Sequence, residues 1–342
     1  MEEDLVSLFE IAELAGVSPS AVSNWRKRHA DFPEPVAELR SGPVFRLPQV
    51  RSWLRKRRVP MASVVSVINL KGGVGKTTTT IALAEILSGV HRKKVLVVDL
   101  DPQTNATTML IGEDSWRKLN DAERTLARLF KDALDPANKK FSLEDTLQTG
   151  VSNVRDVRTV DLLPSSLDLI DVQDRIASMP MGQFFAENPI DILRKAIKPI
   201  IDDYDIVLID CPPNLGIITL NGLRISAGYV IPTIPDVLST YGIPQIVRRV
   251  GDFSKAIAES IEPFGIITTK YREQSTIHKR VKRQLAAEKD APLFKTVIPE
   301  NNQIAGAADF AAVGTLRQKW GYQGQFDLYS ELATELLTRV AS

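Results

Sequence analysis

Apolar residues along the chain follow two rhythms, which change near residue 60. In the first stretch the spacing is helical. Ile11, Leu14 and Ala15 form a stripe that stops at Gly16, and Val22 with Trp25 continue an apolar face after it. Ser18 is a good N-cap, Pro19 suits the first helical position, and Gly16 permits a left-handed turn, while the small Ala12 allows close helix approach. Residues 8–28 therefore read as two short helices across a turn. Val36–Leu39 and Val44–Leu47 are short strand candidates around Arg40, Ser41, Gly42 and Pro43. A further helix opens at Pro48 and ends in Arg55, Lys56, Arg57 and Arg58.

Beyond a linker of Val59, Pro60, Met61 and Ala62 the apolar runs become continuous, as in strands buried on both faces. They occupy Val64–Asn69, Lys94–Asp99, Val160–Leu163, Asp205–Ile209, Tyr229–Pro232, Gly265–Thr269 and the shorter Thr296–Ile298. Helices are expected over Thr77–Leu87 and over Asp327–Val340, the latter amphipathic through Leu328, Leu332, Leu336 and Val340. Gly112 to about Arg158 is more polar and is the least readable part. Strands alternating with helices predict an α/β fold, a mostly parallel doubly wound sheet, with a small domain in front. The expected domains are residues 1–60 and 63–342.

Composition narrows the function classes only slightly. No stretch of the 342 residues approaches the ~20 apolar positions a membrane-spanning helix needs. The acidic start, Glu2, Glu3 and Asp4, is unlike a secretory signal, and the single cysteine, Cys211, excludes a disulfide framework. A cytoplasmic protein is expected. The net charge of +1 says little, but its distribution says more. Residues 1–25 hold five acids and no Lys or Arg, whereas residues 26–58 hold ten Lys or Arg against three acids. A second basic run holds Lys270, Arg272, Lys279, Arg280, Lys282 and Arg283. Such runs fit either a solvated face or a nucleic-acid surface.

The strongest chemical signal is the turn Lys71, Gly72, Gly73, Val74, Gly75, Lys76, Thr77, Thr78 between a buried strand and a helix. Glycines let backbone N–H groups close around phosphate oxygens, and the helix N-terminus adds a favourable dipole. Lys76 can reach the β- and γ-phosphates, and Thr77 can offer its hydroxyl to Mg²⁺. The standard pattern wants glycine six positions before Lys76, where this chain has Leu70; Lys71 marks the deviant form instead. Asp99 and Asp101 follow one strand and Asp210 ends another, and strand carboxyl ends in an open parallel sheet are where ligands bind. Asp210 suits an acid that holds a Mg²⁺-bound water.

Residues 63–340 resemble the ParA/MinD group of ATPases, above all the ParA partition proteins. The matching residues are Asn69 and Lys71–Thr78, then Asp99, Asp101, Pro102, Gln103, Thr104 and Asn105, then Tyr204–Pro213. The run Val297–Asn301, with Pro299, looks like the family's strand and loop near adenine. The resemblance implies ATP and Mg²⁺ as cofactors and a homodimer sandwiching ATP. Lys71 would then reach the partner's nucleotide, Asp101 would polarise water, and Thr77 with Asp210 would support the metal. It also implies non-specific DNA binding, a ParB-like adaptor protein and association with the nucleoid. Residues 8–58 resemble winged helices of MerR and excisionase type. On that resemblance Ser20, Ser23, Asn24 and Lys27 face a major groove, with Arg26 and Arg28 near phosphates.

Where ParA relatives carry DNA-contacting arginines this chain has Gln274, Glu300 and Gln303. The helix expected over Ser275–Ala287 offers a substitute: Ile277, Val281 and Leu285 on one face, Lys279, Lys282 and Arg283 opposite, Arg280 at the margin. Other outcomes within the same fold are a ParA-like ATPase positioning non-DNA cargo and a transcription regulator switched by ATP. A membrane-bound MinD-like protein is disfavoured because the last helix has Arg339 as its only base, and an iron–sulfur relative because Cys211 stands alone.

Overall fold

The computed structural model describes residues 5–15, 17, 19–29, 31–39, 41–56, 62–178 and 188–341. The chain divides into two compact units, residues 1–62 with 200–205, and residues 63–199 with 206–342.

In the smaller unit β1 (Leu5–Ser7) leads into helix α1 (Leu8–Leu14) and then α2 (Pro19–Arg28). β2 (Ala37–Leu39) and β3 (Gly42–Arg46) follow, and α3 (Leu47–Lys56) closes the unit. Ser7 starts α1 through a reciprocal cap: its hydroxyl accepts from Glu10 N at 3.3 Å, and its own N–H donates to Glu10 Oε2 at 2.7 Å. The three strands pair antiparallel in the order β1-β3-β2. Strand β1 has no counterpart in the sequence reading. Three residues are too few to show alternation, and Val6 is held by its register partner Phe45 from the far end of the unit. Leu47, expected in a strand, begins α3 instead, because Pro48 fits the first helical turn. Ile11, Val22, Phe32, Phe45, Trp53 and Leu54 form the core. Phe32 packs edge-on against Phe45 and Trp53, with centroids 5.5 and 4.7 Å apart, contacts worth about 0.5–1.5 kcal/mol each beyond area burial. Gly16, Ser18, Arg40, Arg57, Arg58, Val59, Pro60 and Met61 lie outside the described residues, as do the side chains of Arg28, Arg55 and Lys56.

The larger unit is built on seven parallel strands: β4 (Ser63–Val67), β5 (Val95–Asp99), β6 (Val160–Leu163), β7 (Ile206–Asp210), β8 (Gly228–Thr233), β9 (Glu262–Tyr271) and β10 (Leu293–Pro299). Their order is β10-β9-β8-β4-β7-β5-β6. After β4 the chain builds toward β6, then returns through β7 and continues on the other side, so the order reverses around β4. In sheets of this kind that reversal opens a crevice at the strand carboxyl ends. Helix α4 (Lys76–Gly89) follows β4 and is buried all round from Thr79 to Ser88. Such burial of each Ile, Leu or Val contributes about 1.5–3 kcal/mol, which anchors the helix whose first turn faces the crevice. The last helix, Gln325–Ala341, packs Tyr329, Leu332 and Leu336 into the same core, as its leucine spacing led one to expect. Among the described residues no helix is long and apolar enough to cross a membrane.

The polar stretch after Gly112 contains helices Glu113–Asp121 and Leu126–Leu134. A buried ion pair organises it. Arg128 Nε donates to Asp132 at 2.6 Å, while Asp132 Oδ2 receives the amides of Lys140 and Phe141 at 2.7 and 2.6 Å.

Candidate functional site

The loop between β4 and α4 is shaped by two left-handed glycines, Gly73 at φ +74° and Gly75 at φ +85°. Gly75 caps α4 without a side chain, so the first N–H groups of the helix have no side-chain cap. Asn69 ties the loop down: its Nδ2 donates to Pro232 O at 2.8 Å and its Oδ1 accepts from Lys71 N at 2.9 Å. Thr269 near the end of β9 donates to Val74 O at 2.7 Å, and a Cβ at position 75 would lie 3.8 Å from its side chain. Lys76 is buried, and its Nζ donates to Lys71 O at 3.1 Å. Burial lowers the pKa of its amine, with the nearby carboxylates of Asp210 and Asp101 opposing.

Strand register assembles the acids. Val67 on β4 and Asp99 on β5 both pair with Asp210 on β7, the strand between them. Thr77 donates to Asp210 Oδ2 at 2.7 Å, and Thr80, one turn further along α4, donates to Asp210 Oδ1 at 3.2 Å. Burial pushes the Asp210 carboxyl up to about 7, against those two hydrogen bonds and with Asp101 adding to the rise. Asp101 is also raised by burial, partly offset by Gln103 N, which donates to its Oδ1 at 3.0 Å, and by Lys76. Asp99 is turned inward: Oδ2 receives Thr107 N and Oγ1 at 2.9 and 2.7 Å, and Oδ1 receives Asp101 N at 3.1 Å. Burial first, and Asp210 beside it, hold its carboxyl well above the usual range. Its geometry fixes the loop that carries Asp101.

This donor set fits a small hard cation. Thr77 supplies a hydroxyl and Asp210 a carboxylate, oxygen ligands that leave most positions to phosphate and water, as Mg²⁺ prefers. A cation there would also relieve the crowding of three carboxyls. Among the described residues no cluster of three or more His, Cys, Asp or Glu side chains could hold a metal by itself.

Comparison with known proteins agrees with this geometry. A family model described as an AAA domain matches residues 62–263. The chromosome-partitioning ATPase Soj of Thermus thermophilus is 31% identical over 276 residues, covering 81% of this chain and 96% of that protein. The chain belongs to the ParA/MinD-type P-loop ATPases.

Solved structures of the same architecture include cobyrinic acid a,c-diamide synthase from Mycobacterium smegmatis with bound ADP and magnesium. It is 25% identical, has a TM-score of 0.61, and covers 81% of this chain and 94% of that one. Apo McdA from Cyanthece matches in fold with a TM-score of 0.63 at 23% identity, over 81% and 99% of the two chains.

In this ParA/MinD-type chain Lys71 is paired within the chain. Its Nζ lies 2.6 Å from Asp236 Oδ2, with both side chains about one-third exposed. Asp236 Oδ1 accepts from Ser239 N and Oγ at 3.0 Å each. Burial opposes it, but the hydrogen bonds from Lys71 and Ser239 hold the Asp236 carboxyl below the usual range. Asp236, Thr80, Thr107 and Thr269 were not singled out from sequence. The serial threonines after Lys76 were the visible signal for Thr80; the other three become visible only once the strands are aligned.

Pro299 lines a cavity of about 630 Å³ at the carboxyl ends of β9 and β10, together with Tyr271, Arg272, Lys282, Val297 and Leu328. Arg272 forks Glu300 through Nε and through Nη2, the latter at 3.1 Å. Gln303 donates to Gln318 O and Lys319 O, both at 3.3 Å.

The basic helix of the ATPase unit, Thr276–Ala286, differs from the expected arrangement in two places. Ile277 is 48% exposed, and Lys282 is half-buried with its Nζ 5.5 Å from the centre of the Tyr271 ring. The inward stripe is His278, Val281, Lys282 and Leu285, spaced i, i+3, i+4, i+7, which places Ile277 outside it and Lys282 within it. The open basic face is Lys279, Arg280 and Arg283, of which Lys279 lies 3.4 Å from Glu273. In the smaller unit Ser20, Asn24 and Lys27 are exposed on α2 and Ser23 is half-buried. Arg26 is held by Glu38 of β2 at 2.6 Å.

Proposed function

We propose that the protein is a Mg²⁺-dependent ATPase of DNA segregation, which forms an ATP-sandwiching homodimer and binds DNA through both units. The observation that carries this reading is the alignment of Thr77, Asp210 and Lys76 beneath a glycine loop that also carries Lys71. ATP and Mg²⁺ are the cofactors. The loop amides and Lys76 would hold the β- and γ-phosphates, with Gly72, Gly73, Val74, Gly75 and Thr78 supplying the cradle. Thr77 and Asp210 would hold Mg²⁺, which would supply charge neutralisation for phosphoryl transfer. Asp101, whose side chain sits beside Lys76 but spends only one oxygen on Gln103, would orient the attacking water. Lys71 would leave Asp236 to reach the partner's nucleotide. Pro299 would flank the base.

The resemblance of residues 1–60 to winged helices supports a second role, recognition of an operator near the protein's own promoter. Ser20, Ser23, Asn24 and Lys27 would read base edges and Arg26 would approach phosphate. The Soj relative's name, chromosome-partitioning ATPase, supports a segregation role. A ParB-like adaptor would then stimulate turnover, and the protein would work in the cytoplasm on the nucleoid.

Hydrolysis by the purified protein tests the reading. Slow Mg²⁺-dependent release of phosphate is expected, lost in Lys76→Ala. Turnover that persists in Lys76→Ala would contradict it.

A further inference from the structure

β5 and β6 leave the sheet side by side, because Val98 pairs with Leu163 in register. One strand leads on to Asp101, and the other runs through Pro164, which has no N–H to extend the ladder, to Ser165. Ser165 is fully buried and uses all three of its polar groups. Its N–H donates to Thr107 Oγ1 at 3.0 Å, its hydroxyl donates to Asp101 O at 2.7 Å, and its carbonyl accepts from the Trp116 indole at 3.2 Å. Thr107 is the residue that also holds the Asp99 carboxyl. These contacts converge on one turn. Asp101 O accepts from Thr104 N at 2.9 Å as well, and Gln103 N donates back to Asp101 Oδ1. Thr104 closes the turn in the left-handed region at φ +58°, a costly conformation for a β-branched residue that persists where surrounding contacts enforce it. Ser165 supplies such a contact from a different strand, and it reaches the carbonyl of Asp101 rather than the carboxylate.

We propose that Ser165 is a positioning residue for hydrolysis, pinning the Asp101 carbonyl so that the Asp101 carboxylate is aimed at the attacking water. The inference rests on the proposed ATPase activity and on the role given there to Asp101. Loss of the Ser165 hydroxyl leaves Asp101 O with Thr104 N as its donor, so no buried acceptor is orphaned and the fold survives. What the loss changes is the freedom of the turn. A reacting group displaced by about 1 Å can cost about 10²-fold in rate. Trp116 extends the same support outward: its half-buried ring sits on helix Glu113–Asp121, which has no fully buried residue, and its indole holds the Ser165 carbonyl.

The test uses the full chain as wild type, Ser165→Ala, Asp101→Ala and the double variant. Hydrolysis is followed in single turnovers with Mg²⁺ and ATP, affinity for a non-hydrolysable ATP analogue by calorimetry, and amide hydrogen exchange in the nucleotide-free chain. Ser165→Ala should lose about 10–100-fold in rate and keep analogue affinity within about twofold. Its Gln103 and Thr104 amides should exchange at least about fivefold faster, with those of β5 unchanged. In the Asp101→Ala background the same substitution should alter the residual rate by less than about twofold. A wild-type rate in Ser165→Ala, with Asp101→Ala slow, overturns the proposal. An equal loss in both backgrounds also overturns it, because Ser165 would then act independently of Asp101. Unchanged exchange at Gln103 and Thr104 does the same, as does a fall in analogue affinity that parallels the fall in rate. The underlying reading fails separately, if Asp101→Ala hydrolyses ATP at the wild-type rate; the exchange measurement still decides whether Ser165 holds the turn.

Discussion

The ammonium of Lys71 lies 2.6 Å from the Asp236 carboxylate of its own chain, so the lysine that should cross to a partner is held in cis. Asp236 cannot easily follow it, because its other oxygen takes two hydrogen bonds from Ser239. Dimer assembly on this account exchanges one ion pair for another. The cis pair is about one-third exposed, and such pairs are typically worth about 0–1 kcal/mol. It therefore biases assembly without preventing it.

Asp236→Asn retains an acceptor for Ser239 but removes the charge facing Lys71. The ATP-dependent dimer, in which both copies give up this pair, should then form more readily, by up to about 30-fold in dissociation constant given about 0–1 kcal/mol per pair. Sedimentation with ATP and Mg²⁺ measures this. A variant that dimerises less readily than wild type would place Asp236 in the interface itself.

Asp101→Ala should bind ATP with near wild-type affinity, accumulate as an ATP-bound dimer and lose about 10²–10⁴-fold in turnover, the usual contribution of a positioned acid–base group. The readout is phosphate release beside a nucleotide-binding isotherm. Undiminished turnover sinks the role given to Asp101.

Asp210 and Asp99 carry pKa values raised by burial, Asp210 to about 7 from 3.8. Between those values the folded, metal-free chain binds more protons than the unfolded one, so stability must fall as pH rises through that window. Melting temperature in EDTA without nucleotide should drop from about pH 5 to about pH 7.5, and the drop should shrink in Asp210→Asn. A wild-type profile as flat as the variant's would contradict the buried, crowded site described above.

In the smaller unit, Asn24→Ala or Lys27→Ala should each cost about 1–3 kcal/mol at the specific operator and little on random duplex. Arg26→Ala should also release Glu38, and so lower the unit's stability slightly. Footprinting on the protein's own promoter region measures this, and a truncation lacking residues 1–60 that still protects the same site would refute it.

Much of the larger unit was legible because its strands are buried on both faces and read as unbroken apolar runs; Val160–Leu163 matches to the residue. The glycine loop was legible because only glycine tolerates φ near +80° at positions 73 and 75. What stayed hidden depends on partners far apart in sequence. Asp236 meets Lys71 across 165 positions and Thr269 meets Val74 across 195. Gly112–Arg158 was the least readable part because its helices are short and set among polar turns; Leu126, Ala127, Phe130 and Leu134 keep a helical spacing there that the sequence reading did not pick out. Lys282 was misplaced because periodicity treats every lysine as outward, whereas its aliphatic stem packs inward and its ammonium finds the Tyr271 ring.

The central claim is that each nucleotide site takes Lys71 from the second copy while supplying its own Asp101. Mixing Lys71→Ala with Asp101→Ala, each nearly inactive alone, tests this most directly. In the mixed dimer one site holds ATP with an intact Asp101 and receives Lys71 from the Asp101→Ala chain. The account predicts phosphate release in the mixture well above the sum of the separate variants, approaching half the wild-type rate per mixed dimer. A mixture no faster than that sum would contradict it.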